Sequence, residues 1–196
     1  AAAEADQAAV LAARATLRPE GFALLDPAPL PPDALGALLR VVAGRVHAPS
    51  GRALAALAAA PRPATLGGAR LLAAGRLAPG RLLVVREAAH LRPPVPAEPG
   101  AVWDGRFRLV RLPASGSTGE TGLTLGAVGA AAARLRNHSR LPAVVLQTLP
   151  ALRRDGRLLA VPHLGYPAGG SAGFMLVFAP GTPVSGAPFV PMPPHA

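Results

Sequence analysis

The chain has no cysteine. That excludes disulfides and thiolate metal sites and fits a reducing compartment such as the cytoplasm. It has no lysine either, so all 20 basic residues are arginine. A P-loop is thereby excluded, because its Gly-Lys-Ser/Thr end needs a lysine ammonium on the phosphates. Acidic residues number only 10, which leaves a net charge of +10. Aromatic residues make up 4% of the chain, which limits base stacking as a mode of nucleic-acid recognition. No run of about 18 strongly apolar residues offers a membrane span. No charged segment followed by an apolar one offers a signal peptide. The chain starts on alanine rather than methionine, as a fragment or a processed chain would.

What is present is alanine, glycine, proline and arginine. A chain of 196 residues suffices for one large or two small domains and a real core. The choice of arginine over lysine, like the abundance of small residues, fits codon usage in a GC-rich genome. The surplus of basic over acidic residues needs another cause. It favours an anionic partner such as RNA, because the field of such a surface concentrates phosphate. Arginine also donates in a planar fork suited to phosphate and base edges.

Along the chain, Val10, Leu11 and Leu17 predict a helix over residues 1–18. A short strand follows at 22–26. Asp33 and Ser50 read as caps of two further helices, the first carrying Leu35, Leu38, Leu39, Val42 and Val46 as its apolar stripe. Residues 65–74 and 81–88 read as paired strands around a turn at 75–80, and Gly67-Gly68 as a bulge or a close backbone approach. Four prolines, Pro93, Pro94, Pro96 and Pro99, then forbid regular pairing. Residues 101–110 read as one strand, with Trp103, Phe107 and Leu109 on an apolar face and Asp104, Arg106 and Arg108 on the other. Farther on come a strand and helix at 123–136, a short unit at 142–149, a basic turn at 151–154, strands at 157–161 and 174–178, and a glycine-rich loop at 165–173. These alternations predict an α+β fold: N-terminal helices on a small mixed β-sheet, followed by a second small α+β unit. The expected divisions are a helical connector at 1–60, a β-rich core at 61–112, a linker at 113–122, a C-terminal unit at 123–180 and a loose tail at 181–196.

Few residues suggest catalysis. His47, His90, His138, His163 and His195 lack metal-ligand spacing. Ser115, Ser117 and Thr118 lie in a glycine-rich stretch without a nucleophile elbow. The glycine-rich stretches 116–122 and 167–173 read as plain loops. Glu87 and Asp104 would be either paired carboxylates for acid–base work or, with Arg86 and Arg106 beside them, an ion-pair network bracing two strands. For RNA the candidates are Arg70, Arg92, Arg106, Arg108 and Arg111, with Arg76 and Arg81 beside them. A second cluster is Arg134, Arg136 and Arg140, and a third Arg153, Arg154 and Arg157.

The order "strand ending in Arg86-Glu87, proline crossing, Trp103-Asp104-Gly105-Arg106-Phe107" resembles the C-terminal region of bacterial tRNA(Ile)-lysidine synthases, in particular the alphaproteobacterial type. Thr65-Leu66-Gly67-Gly68, Leu149-Pro150-Ala151-Leu152 and residues 160–165 (Ala-Val-Pro-His-Leu-Gly) also look like that family. The resemblance covers residues 18–166. It implies a ligase that uses ATP to activate C2 of the wobble cytidine in CAU-anticodon tRNA(Ile) and joins lysine there. The family's catalytic Ser-Gly-Gly-x-Asp-Ser loop does not occur in these 196 residues. No catalytic, ATP-binding or metal-binding residue is therefore carried over; ATP and lysine belong to an N-terminal catalytic domain. The segment itself is expected to bind and position tRNA(Ile) and to be inactive alone. The alternative is a stand-alone basic interaction module without catalytic activity.

Overall fold

The computed structural model describes residues 2–111, 122–167 and 173–181. The chain is α+β, with N-terminal helices and several small antiparallel sheets. It divides into two compact units, residues 2–87 and 88–179, so the division falls between Glu87 and Ala88. The stretch expected as a linker, 113–122, lies outside the described residues except for Gly122, and so does nearly all of the tail at 181–196.

In the first unit, helix α1 (Ala2–Arg14) runs straight into strand β1 (Ala15–Leu17). The helix expected to reach residue 18 thus yields its last turn to a strand, because Ala15 to Leu17 find a partner in β2 (Ala23–Leu25). Helix α2 (Pro32–Ala43) is the centre of this unit. Leu35, Leu38, Leu39 and Val42 are buried in one core with Leu25, Leu71 and Val84. Its C-terminus is closed by Gly44 at φ 60°. The amide of Gly44 donates to Val41 O (3.2 Å) and that of Arg45 to Arg40 O (3.0 Å), a left-handed cap for which glycine carries no Cβ penalty. Neither expected N-cap forms. Pro31 precedes α2 with Asp33 inside the first turn, and Gly51, not Ser50, precedes α3 (Arg52–Ala59).

Strands β3 (Ala64–Leu66), β4 (Ala69–Ala73) and β5 (Leu82–Arg86) complete a five-stranded sheet in the order β1-β2-β5-β4-β3. Every pair is antiparallel, where a mixed sheet was expected. Gly67-Gly68 is not a bulge within one strand but the two-residue turn of a hairpin, with φ of 62° and 83°. Two positive φ angles match the right-handed twist of the flanking strands. The close approach expected there is present. A Cβ on Gly68 would lie 2.7 Å from Arg86 Nη1, and Arg86 Nη1 donates to Gly68 O at 3.0 Å. Gly68→Ala combines this collision with a strained φ, and should cost about 1–3 kcal/mol. A lowered urea midpoint at unchanged slope is the expected readout.

The second unit begins with β6 (Val95–Pro96), then β7 (Val102–Trp103) and β8 (Phe107–Arg111). The single strand expected over 101–110 is therefore a hairpin. Asp104 (φ 55°) and Gly105 (φ 66°) turn the chain so that Trp103 pairs with Phe107. Strand β9 (Leu123–Ala127) leads through a short 3-10 turn into α4 (Ala132–Leu135), followed by α5 (Ala143–Leu146). The expected basic turn at 151–154 is strand β10 (Pro150–Arg154), paired along its whole length with β9. A second Asp-Gly turn, Asp155-Gly156, returns the chain as β11 (Arg157–Ala160). Strand β12 (Met175–Phe178) pairs with β8.

Two sheets result, β11-β10-β9-β6 and β12-β8-β7. Trp103, Phe107, Leu109 and Leu176 from the smaller one share a core with Leu125, Leu152 and Ala160 from the larger. Successive strand residues point to opposite faces. Ala151 accordingly joins a different core, with Leu135, Leu146, Leu149 and Val161. That second core seats α4 and α5. Among the described residues no helix is long and apolar enough to cross a membrane.

Candidate anion-binding cleft

The arginines separate by what surrounds them. Arg106, expected on a basic strand face beside Arg108, is instead wholly buried in the β7–β8 turn. Its Nε contacts Asp104 Oδ2 at 2.8 Å, and its Nη2 donates to Thr148 O at 3.0 Å. The guanidinium carbon lies 4.9 Å from the Phe107 ring centroid, within cation–π range. Asp104, 1% exposed, accepts a second hydrogen bond at Oδ1 from the Arg92 amide (3.1 Å). The Trp103 indole donates to Arg92 O and Pro93 O, both at 3.2 Å. This network ties the hairpin turn to the 92–93 segment and to the α5–β10 joint. Arg106 is unreachable by phosphate and is withdrawn as an RNA contact; the ion-pair reading of Asp104-Arg106 holds, with the pair inside one turn rather than between two strands.

Arg86 is likewise buried, 3% exposed, and clamps the Gly68 carbonyl. Glu87 and Asp104 fall in different compact units. Arg81 is committed too. Its Nε lies 2.8 Å from Asp26 Oδ1, and its other nitrogens donate to Thr16 Oγ1, Arg14 O and Leu24 O. It stitches β1 and β2 to the start of β5.

Arg70 is half-buried on β4, and Arg76 is exposed. Arg92, Arg108 and Arg111 expose their side chains. Arg108 does not belong to a basic row. Across the sheet its neighbours in register are Val102 and Val177.

The second and third clusters converge. A cleft of about 460 Å³ in the second unit is lined by Arg134, Leu135, His138, Arg153, Arg157 and Tyr166, among others, and by no carboxylate. Each wall has a local cause. Arg134 sits on α4 next to Leu135, which is buried in the core beneath. The Asp155-Gly156 turn folds β11 back so that Arg154 pairs with Arg157 and Arg153 stands opposite Leu158. Arg153 is fixed by three carbonyls: Gly156 O (3.2 Å), Ala127 O (3.3 Å) and Val128 O (2.9 Å). Arg134 and Arg157 are exposed. Arg136 and Arg140, exposed as well, follow α4 but do not line the cleft.

Tyr166 is half-buried against the α4–α5 core. Its backbone is held by a two-way bridge, Val161 N to Tyr166 O at 2.8 Å and Tyr166 N to Val161 O at 3.3 Å. The His138 ring meets the Tyr166 ring edge to face, centroids 5.3 Å apart at 71°. The sequence singles out neither ring: His138 lacks metal-ligand spacing, and nothing local marks Tyr166. It separates Arg134 from Arg153 and Arg157 because nothing local brings them together. The Asp-Gly turn was the available signal for the latter two.

Among the described residues no group of three or more His, Cys, Asp or Glu is placed to hold a metal ion. No protein-family model, no curated protein and no solved structure matches the chain.

Proposed function

We propose that this chain is the tRNA-binding, positioning portion of a tRNA(Ile)-lysidine synthase, acting beside a catalytic domain that binds ATP and lysine and lies outside these 196 residues. The observation that carries the RNA-binding part is the convergence of Arg134, Arg153 and Arg157 on a cleft without a carboxylate. In a chain of net charge +10, such a site attracts phosphate at long range and grips it at short range. Support for the family comes from the order of the short motifs, Gly67-Gly68, Arg86-Glu87 and Trp103 to Phe107. The structure gives each a physical task. Gly68 and Arg86 interlock, and the Asp104-Arg106 pair closes the hairpin turn. The proposed partner is tRNA(Ile), and the proposed compartment is the cytoplasm.

The test is a salt titration of tRNA(Ile) binding by the full chain. Binding through phosphate contacts should weaken as salt rises, with a slope of log K against log salt of about −0.7 to −0.9 for each phosphate neutralised. Binding that is absent at low salt, or independent of salt, rejects the RNA role. Restoring lysidine formation by adding the chain in trans to a catalytic domain tests the family assignment separately.

A further inference from the structure

We propose that the cleft is a single-nucleotide pocket: Arg134 and Arg157 hold one phosphate while an unpaired base lies against the aromatic pair Tyr166 and His138. This deepens the RNA-binding reading and rests on it for the source of the nucleotide.

The shape is the first reason. Backbone phosphates of a helix can be gripped by arginines on an open surface, with no recess. Here the arginines line a cavity of about 460 Å³, within the ~300–1,000 Å³ range of small-molecule pockets. The second reason is how the donors are used. Arg153 turns its guanidinium to Gly156 O, Ala127 O and Val128 O, so it contributes fixed positive charge. No hydrogen bond or ion pair to another described residue engages the side chain of Arg134 or Arg157, and both are exposed, which leaves two planar forks for one phosphate. Third, the chain has one tyrosine, and it lines this cavity. Its backbone bridge to Val161 fixes it before any ligand arrives, so little ordering accompanies stacking. A base has a π face whatever its identity, so such a wall accepts nucleotides with modest preference among bases. A lining without a carboxylate turns away amines and metal ions and suits an anion.

The experiment uses the full chain and three probes, AMP, adenosine and inorganic phosphate, followed by titration calorimetry, with tRNA binding measured in parallel. AMP is expected to bind at least tenfold tighter than either fragment. Tyr166→Leu, which keeps an apolar side chain on the core, should weaken AMP about tenfold and leave phosphate unchanged, and Tyr166→Phe should restore AMP. Arg134→Gln with Arg157→Gln should weaken both AMP and phosphate. Unchanged Trp103 fluorescence certifies that each variant is folded. AMP no tighter than phosphate, or Tyr166→Leu without a selective effect, overturns the nucleotide pocket. If tRNA binds and neither AMP competes nor the arginine pair matters, the pocket falls while the RNA-binding reading stands. If AMP behaves as expected and tRNA does not bind, the pocket stands and the RNA-binding reading falls.

Discussion

Replacing Arg106 by alanine is expected to destabilise the second unit by about 3–5 kcal/mol, the usual cost of removing one partner from a buried ion pair. The size follows from what stays behind. Asp104 remains in a site where it is 1% exposed. Its carboxylate keeps the Arg92 amide but loses the guanidinium, and the Thr148 carbonyl loses the Arg106 donor as well. A buried carboxylate that has lost its cation costs more than the pair contributes, so deletion of the arginine overstates the net worth of the interaction. Arg106→Lys should be intermediate. One ammonium keeps the charge but cannot span both the Asp104 carboxylate and the Thr148 carbonyl as the guanidinium fork does. Arg108→Ala, two residues on, removes an exposed side chain and should change stability by no more than about 0.5 kcal/mol. Urea unfolding followed by tryptophan fluorescence is the direct measurement, because the chain's one tryptophan, Trp103, lies in the same core. Equal behaviour of Arg106→Ala and Arg108→Ala would remove the fastener role and return both arginines to the surface.

That contrast shows where sequence reading stops. The apolar stripe Leu35, Leu38, Leu39 and Val42 specified α2 and its buried face, since period and burial agree there, but Val46, read as part of the same stripe, lies beyond the Gly44 cap and is exposed. The apolar run Leu82 to Val85 specified a strand buried along its length. Trp103, Phe107 and Leu109 were rightly placed in a core, but the strict alternation between them hid the turn at Asp104-Gly105. A two-residue period continues unbroken through those letters only on paper. Asp-Gly between apolar residues is itself a strong hairpin signal, and it outweighs the alternation because both residues take positive φ readily. The slip mattered for function: on a strand Arg106 would face solvent with Arg108, and in the turn it goes inside. The same dipeptide at Asp155-Gly156 converted an expected basic turn at 151–154 into the strand pair that builds one wall of the cleft. What no local pattern offered was the meeting of α4 with the β10–β11 hairpin. Arg134 and Arg157 are joined through the core beneath them, where Leu135, Leu146, Ala151 and Val161 pack together, and that is a long-range fact.

Trp103→Ala should match Arg106→Ala in scale, at about 3–5 kcal/mol, but through a different mechanism. Trp103 is fully buried. Its loss removes apolar area and leaves a cavity in the core shared by Phe107, Leu109, Leu125 and Leu152, and a closely packed interior refills such a void only in part. The indole also holds the proline crossing in place, because its Nε1 is shared between Arg92 O and Pro93 O. Trp103→Phe separates the two contributions. It keeps most of the ring volume and gives up the donor, so it should cost on the order of 1 kcal/mol, as a lost neutral hydrogen bond does. Because both variants lose the fluorescent reporter, far-UV circular dichroism in urea and amide exchange are the measurements. The Arg92 amide donates to Asp104 and should exchange faster in Trp103→Ala as the crossing loosens. In Trp103→Phe, where the ring still fills the core, its protection should be kept. Should Trp103→Phe cost as much as Trp103→Ala, the indole's hydrogen bonds to the crossing, rather than the volume of the ring, hold the two sheets of the second unit together.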